Sequence, residues 1–176
     1  SRKHFHIGIN ISKDSFYSGV EHLEVNPNQF FENINFKKID SNFYNTWQDI
    51  NRSKLELHNR YMRAANYSDL KVFEILSDWI PKKYDIQAAN STPVRYFQLF
   101  DLKNQNHMFA NRGTSGIDGS TSTAIGCSVN SDSPVVLITG DLSFFYDINA
   151  LWNKHIPASF RIIIINNGGG GIFKIL

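Results

Sequence analysis

GDLSFFYDINALWNKHIPASFRIIIINNGGGGIF, residues 140–173, carries the organisation of the chain in one stretch. An apolar strand, Val135-Val136-Leu137-Ile138-Thr139, delivers Gly140 and Asp141 to its C-terminal end. A helical segment follows, and a second apolar strand, Ile162 to Ile165, delivers Asn166, Asn167 and four glycines. Asp141 and Asn167 are 26 positions apart, the length of a strand–helix–strand crossover. In a parallel sheet both side chains then meet at one rim. A carboxylate, a neutral amide and a flexible backbone carbonyl suit a hard divalent cation whose other oxygens come from a diphosphate.

The pattern outward from this stretch is the same alternation. Ser68 or Asp69 caps a helix whose apolar face is Leu70, Phe73, Leu76, Trp79 and Ile80, with Pro81 stopping it. A strand at Asp85–Ala89 leads to Asn90, and Ser91-Thr92-Pro93 opens a helix with a hydroxyl cap and an early proline. That helix is expected to carry Val94, Phe97, Leu99, Phe100 and Leu102. A short strand at Met108–Ala110 runs into Asn111-Arg112-Gly113, and the small residues of Gly119–Val129 suit a helix packed closely on a sheet. Repeated strand–helix alternation predicts an α/β fold, a parallel sheet flanked by helices, with ligands at the C-terminal ends of the strands.

Before Tyr67 the chain is polar, rich in asparagine and aromatics, and weakly periodic. Val20–Val25 reads as a short strand, Pro27 as the start of a helical turn, and Thr46–Arg63 as a helix. The expected division is residues 1–66 as the end of a central domain with its linker, and 67–176 as a partial cofactor-binding domain. The chain begins without methionine and stops inside an apolar stretch, so a piece of a longer polypeptide, incomplete at the C-terminus, is expected.

Composition excludes several classes. The net charge of +2 gives no footprint for nucleic acid. One cysteine, Cys127, makes an internal disulfide framework impossible and fits a reducing compartment. No apolar run reaches the roughly 20 residues of a membrane span, and the N-terminus lacks the apolar core of a signal peptide. A cytoplasmic protein is the expectation.

Asp141 Oδ, Asn167 Oδ1 and the Gly169 carbonyl form the candidate cation shell. Gly168–Gly171 let backbone approach a diphosphate without Cβ clashes, and a helix beginning after Ser143 points its N-terminus at the same anion. This spacing and chemistry are those of a thiamine diphosphate–magnesium site, with manganese as an alternative metal. Arg95, in the first turn of its helix, opposes the helix dipole and so invites an anion; Arg112 ends another strand at the same rim. Together they suit a dicarboxylate clamp, although two solvated arginines fit the pattern equally. GTSGIDG has the spacing G-x-x-G-x-x-G and follows no long apolar strand, so it is not a dinucleotide fingerprint. The six histidines form no metal-ligand cluster and read as surface or packing residues.

FANRGTSGIDGSTSTAIG, GDLSFFYDINAL and IIINNGGGGIF together resemble the 2-succinyl-5-enolpyruvyl-6-hydroxy-3-cyclohexene-1-carboxylate synthases, thiamine diphosphate enzymes of menaquinone biosynthesis. The specific marks are GDLSF-x-x-D-x-N, in place of the GDG of most thiamine diphosphate enzymes, and NRG-x-SGIDG; the resemblance covers roughly Gln87 to Leu176. It implies decarboxylation of 2-oxoglutarate and 1,4-addition of the resulting carbanion to isochorismate, in a homodimer or homotetramer. By the same resemblance Asp141, Asn167 and Gly169 hold magnesium, and Ile117 props the cofactor in its bent form. Gly140, Ser143, Gly171 and Ile172 join the cofactor site. Ser91, Arg95, Arg112, Phe173 and Leu176 lie near the substrates. The family commonly has an asparagine where this chain has Gly168. Its cofactor-activating glutamate comes from another domain on a partner subunit, so no catalytic residue is expected within these 176 residues, nor turnover by this stretch alone. Another thiamine diphosphate decarboxylase or carboligase, or a non-catalytic phosphate-binding α/β module, are the competing readings.

Overall fold

A computed structural model describes residues 3–35, 37, 39–100, 102 and 107–171. The chain divides into two compact units, 1–53 and 54–176, with the boundary inside helix α2 (Phe43–Ala64).

In the first unit, β1 (His4–Ile7) pairs in parallel with β2 (Val20–Leu23), His6 opposite His22. Their connection carries Asp14, whose carboxylate accepts the Ser18 and Gly19 backbone N–H groups at 3.1 and 2.9 Å. These bonds, Ser18 first, hold its carboxyl below the usual carboxylate range. The helix α1 (Pro27–Asn33) starts as expected: Asn26 caps it by accepting from Asn28 N, and Pro27 occupies a position where no N–H is needed.

The second unit holds α3 (Asp69–Trp79), β3 (Asp85–Ala88), α4 (Thr92–Phe97), β4 (Met108–Phe109) and α5 (Ser120–Asn130). Then come β5 (Val135–Gly140), α6 (Asp141–Tyr146), a 3-10 turn at Ile148–Trp152 and β6 (Arg161–Ile165). The four strands run parallel in the order β4-β3-β5-β6. Starting from β3 the chain first adds β4 on one side, then crosses to add β5 and β6 on the other. The connections leaving β3 and β5 therefore part, and the crevice between them at the strand ends is the switch point where open α/β sheets bind ligands.

Strand β5 explains why the sheet has two covered faces. Val136 and Ile138 pack with Phe73, Leu76, Ile80, Val94 and Phe97 of α3 and α4, while Val135 and Leu137 pack with Ala124 and Ile125 of α5 and Phe160. A strand buried on both sides reads as a continuous apolar run rather than an alternation. Phe73, wholly buried, meets Phe97 edge-on with ring centroids 4.8 Å apart, which fixes α3 against α4. At the start of α3 the Ser68 hydroxyl accepts from Lys71 N.

Three local expectations are corrected. Trp79 is 67% exposed, because the buried face of α3 is the stripe Phe73, Leu76 and Ile80, and Trp79 lies beside it. The α4 helix stops at Phe97, so Leu99 is half exposed and Arg95 sits in the last turn, where a cation favours the dipole rather than opposing it. Ser91 precedes α4 without its side chain capping the helix, since its backbone is in the left-handed region at φ 73°, ψ −128°.

Candidate functional site

A cavity of about 260 Å³ opens at the switch point. The loop after β3 contributes Asn90 and Ser91, and α4 contributes Pro93 and Arg95; β5 and α6 contribute Gly140, Asp141, Leu142 and Ser143; the loop after β6 contributes Asn167, Gly170 and Gly171. Ser115 and Ile117 come from the segment after β4, and Asp69 and Phe73 from α3.

The pairing of β5 with β6 brings the two halves of the opening motif together. Gly140 stands opposite Ile165, so Asp141 and the loop beginning at Asn166 leave adjacent strands at the same level. Asp141 is the first residue of α6, which starts earlier than the position after Ser143 expected from sequence; its Oδ1 accepts Leu142 N at 2.8 Å. A Cβ placed on Gly169 would stand 3.9 Å from Asp141 Oδ2 and 3.6 Å from Leu142 Cδ2, so this glycine lies against that carboxylate. Gly168, Gly169 and Gly170 have φ of 80°, 80° and 62°. Each would cost an L-residue about 1–2 kcal/mol. At Gly168 a Cβ has open space around it, so conformation rather than crowding demands glycine there.

The opposite side is built from side chains. Asn90, 1% exposed, donates through Nδ2 to the carbonyls of Asn111 and Gly116, both at 2.6 Å, and accepts at Oδ1 from Arg112 Nη1 at 2.9 Å. One buried amide thus ties the ends of β3 and β4 to the Gly116 loop with every bond made to a definite partner. Ser143, 4% exposed, donates its hydroxyl to the Ile117 carbonyl, so it holds Ile117 at the cavity wall. A further tie joins the two motifs: Asp147, 6% exposed, accepts from Ser122 N and Ser122 Oγ, both at 2.6 Å, in the first turn of α5.

Of the residues singled out in sequence, Ser91, Arg95, Ile117, Gly140, Asp141, Ser143, Asn167 and Gly171 line the cavity, and Gly169 adjoins Asp141. Arg112 is exposed and reaches the cavity only through Asn90. Ile172, Phe173 and Leu176 lie outside the described residues. Asn90, Asp147 and Asp69 were not anticipated. Asn90 and Asp147 had a signal of a kind, since both are polar residues inside the recognised motifs or directly after an apolar strand; Asp69 had none. Among the described residues no group of three or more His, Cys, Asp and Glu side chains is placed to hold a metal. The available oxygen set is instead one carboxylate, one amide and glycine carbonyls, which suits magnesium beside a diphosphate and suits zinc poorly. No described helix is long and apolar enough to cross a membrane.

A parallel sheet with an acidic residue after one strand and an asparagine–glycine loop after its neighbour is built to hold a cation and a diphosphate together. Residues 90–175 match the family described as thiamine pyrophosphate enzyme, C-terminal TPP binding domain. A relative from Flavobacterium psychrophilum is 45% identical over 99% of this chain and 32% of its own length. One from Christiangramia forsetii is 54% identical over 73% of the chain and 22% of its own, and one from Porphyromonas gingivalis 48% over 74% and 23%. Each is named 2-succinyl-5-enolpyruvyl-6-hydroxy-3-cyclohexene-1-carboxylate synthase, and this chain belongs to that family of thiamine pyrophosphate enzymes. It spans about a third of the length of the curated relatives matched across nearly all of it.

Proposed function

We propose that this chain supplies the diphosphate- and magnesium-binding side of a carboligase that decarboxylates 2-oxoglutarate and adds the product carbanion to isochorismate. The observation that carries the reading is the meeting of Asp141, Asn167 and the left-handed glycine loop at one cavity on a chain of this family. The donor set fits the group: Asp141 and Asn167 offer oxygens, and Gly169 lies against Asp141 with no side chain between them. Asp141, Asn167 and the Gly169 carbonyl hold the cation, manganese being a workable substitute for magnesium. Gly140, Ser143 and Gly171 at the cavity complete the cofactor contacts, and the family resemblance adds Ile172. Thiamine diphosphate supplies the carbon nucleophile and electron sink that an oxo acid needs to lose carbon dioxide.

The chain's own residues bind, orient and exclude water. Ile117, held by Ser143, gives the cofactor an apolar support. Arg95 and Ser91 at the cavity and Arg112 on Asn90 offer polar groups for substrate carboxylates, and the family resemblance adds Phe173 and Leu176 to the substrate site. Residues 67–176 form the partial cofactor domain and 1–66 the end of a preceding domain with its linker. No group within these residues takes the role of the cofactor-activating acid; a second copy in a homodimer or homotetramer, in the cytoplasm, provides it.

Calorimetric titration of thiamine diphosphate into the natural protein, with and without magnesium, tests the site directly. Binding that needs magnesium and is lost in Asp141→Ala is the expected result, alongside product formed from 2-oxoglutarate and isochorismate. Binding indifferent to both magnesium and Asp141 would remove the metal–diphosphate site. Turnover with a different acceptor alone would leave the site and replace the substrate assignment.

A further inference from the structure

An asparagine is an awkward ligand for a hard cation. Its amide ends in one oxygen and one NH2 of nearly equal size, and only the oxygen coordinates. A half-turn about the last side-chain bond replaces ligand by donor, so a metal site that uses an amide needs something to settle which end faces the metal.

In this chain Asn167 Nδ2 donates to Asp69 Oδ2 at 2.7 Å, across 98 residues of sequence. The carboxylate accepts hydrogen bonds and cannot donate one when ionised. The reversed amide would set oxygen against carboxylate, losing a charge-assisted bond and adding repulsion. With Nδ2 committed to Asp69, Oδ1 is the end directed away from it, in a cavity that both residues line. The carboxylate itself is well founded. Asp69 opens α3 directly after the Ser68 cap, and α3 is anchored by Phe73, Leu76 and Ile80 in the core. Gly171 adds a second constraint, because a Cβ there would come within 3.3 Å of Asn167 Nδ2 and press on the held amide.

We propose that Asp69 is a positioning residue for the metal site: it orients the Asn167 amide so that its oxygen, not its nitrogen, is presented to the cation. This rests on the assignment of Asn167 as a metal ligand. It also gives α3 a role in the site that the cation-binding motif itself does not contain.

The test uses Mn2+ binding to the natural protein in the presence of thiamine diphosphate, read by the electron paramagnetic resonance of free Mn2+, with thermal unfolding as a control. Asp69→Ala is expected to weaken Mn2+ binding by about tenfold or more. Asp69→Asn, which can still accept from Asn167 through its own amide oxygen, should recover part of that loss. The decisive comparison uses Asn167→Asp, whose two oxygens are equivalent and need no orientation. In that background Asp69 faces a second carboxylate, so Asp69→Ala should cause no loss of Mn2+ affinity and can raise it by relieving the repulsion between the two. An equal loss in both backgrounds would make Asp69 a direct ligand or a general structural support and overturn the proposal. So would an unchanged affinity in Asp69→Ala while Asn167→Ala loses Mn2+. If Asn167→Ala itself leaves Mn2+ affinity intact, the ligand assignment fails and the role of Asp69 fails with it.

Discussion

The loops after β3 and β6 border the same cavity and are held in opposite ways. The β3 loop is held by a side chain: Asn90, buried, makes three hydrogen bonds to the segments around it. It even keeps a non-glycine residue, Ser91, in left-handed backbone at φ 73°. The β6 loop is held by its own backbone preferences. Three successive glycines take left-handed φ, and its exposed Asn167 has a side-chain bond to Asp69. A wall made by a buried network is formed before any ligand arrives, because undoing it strands buried polar groups. A wall made by glycines keeps much of its freedom, and a ligand has to supply the remaining order.

The largest effect should come from the first wall. Asn90→Ala removes the partner of two carbonyls and one guanidinium, a loss of about 2–4 kcal/mol in unfolding free energy. Urea denaturation measures it, and a loss under about 1 kcal/mol would mean that the network does not hold the loop. Gly169→Ala puts a side chain at φ 80° for about 1–2 kcal/mol, with a clear weakening of magnesium-dependent cofactor binding by calorimetry. Equal fractional damage to stability and binding there would erase the contrast between the walls. Ser91→Gly releases backbone strain and should stabilise the fold by about 1 kcal/mol while weakening substrate binding. The subtlest expectation concerns hydrogen exchange: amides of 167–171 exchange faster than those of 89–94, and cofactor with magnesium slows the former more.

The legible parts of this fold are those written in periodicity. The runs Val135–Thr139 and Ile162–Ile165 announce strands, the first buried on both faces and the second half-buried with Ile164 exposed, and the spacing Phe73, Leu76, Ile80 after Ser68 announces α3. Asp141 and Asn167 are legible because a crossover has a characteristic length and parallel pairing then sets them level. The early stop of α4 was hidden, since Leu99 and Phe100 continue an apolar pattern that the chain leaves after Phe97. So was Ser91, because serine before Thr-Pro suggests a cap and nothing local encodes a positive φ. The bonds of Asn90 to Gly116 and of Asn167 to Asp69 join residues 26 and 98 positions apart, and polar pairs at such distances leave no periodic trace.

The strand order carries a consequence for when the cavity comes into being. Its last wall follows β6, which among the described residues is hydrogen-bonded to β5, as β5 is to β3. Parallel pairings close long loops of chain before any contact rewards them, so they are slow steps in folding. The cation-binding rim, which needs the β5–β6 pairing, is therefore expected to form with the completed sheet rather than before it. Cofactor uptake then serves as a clock for completion of the sheet: a refolding experiment followed by cofactor binding should lag one followed by helix signal.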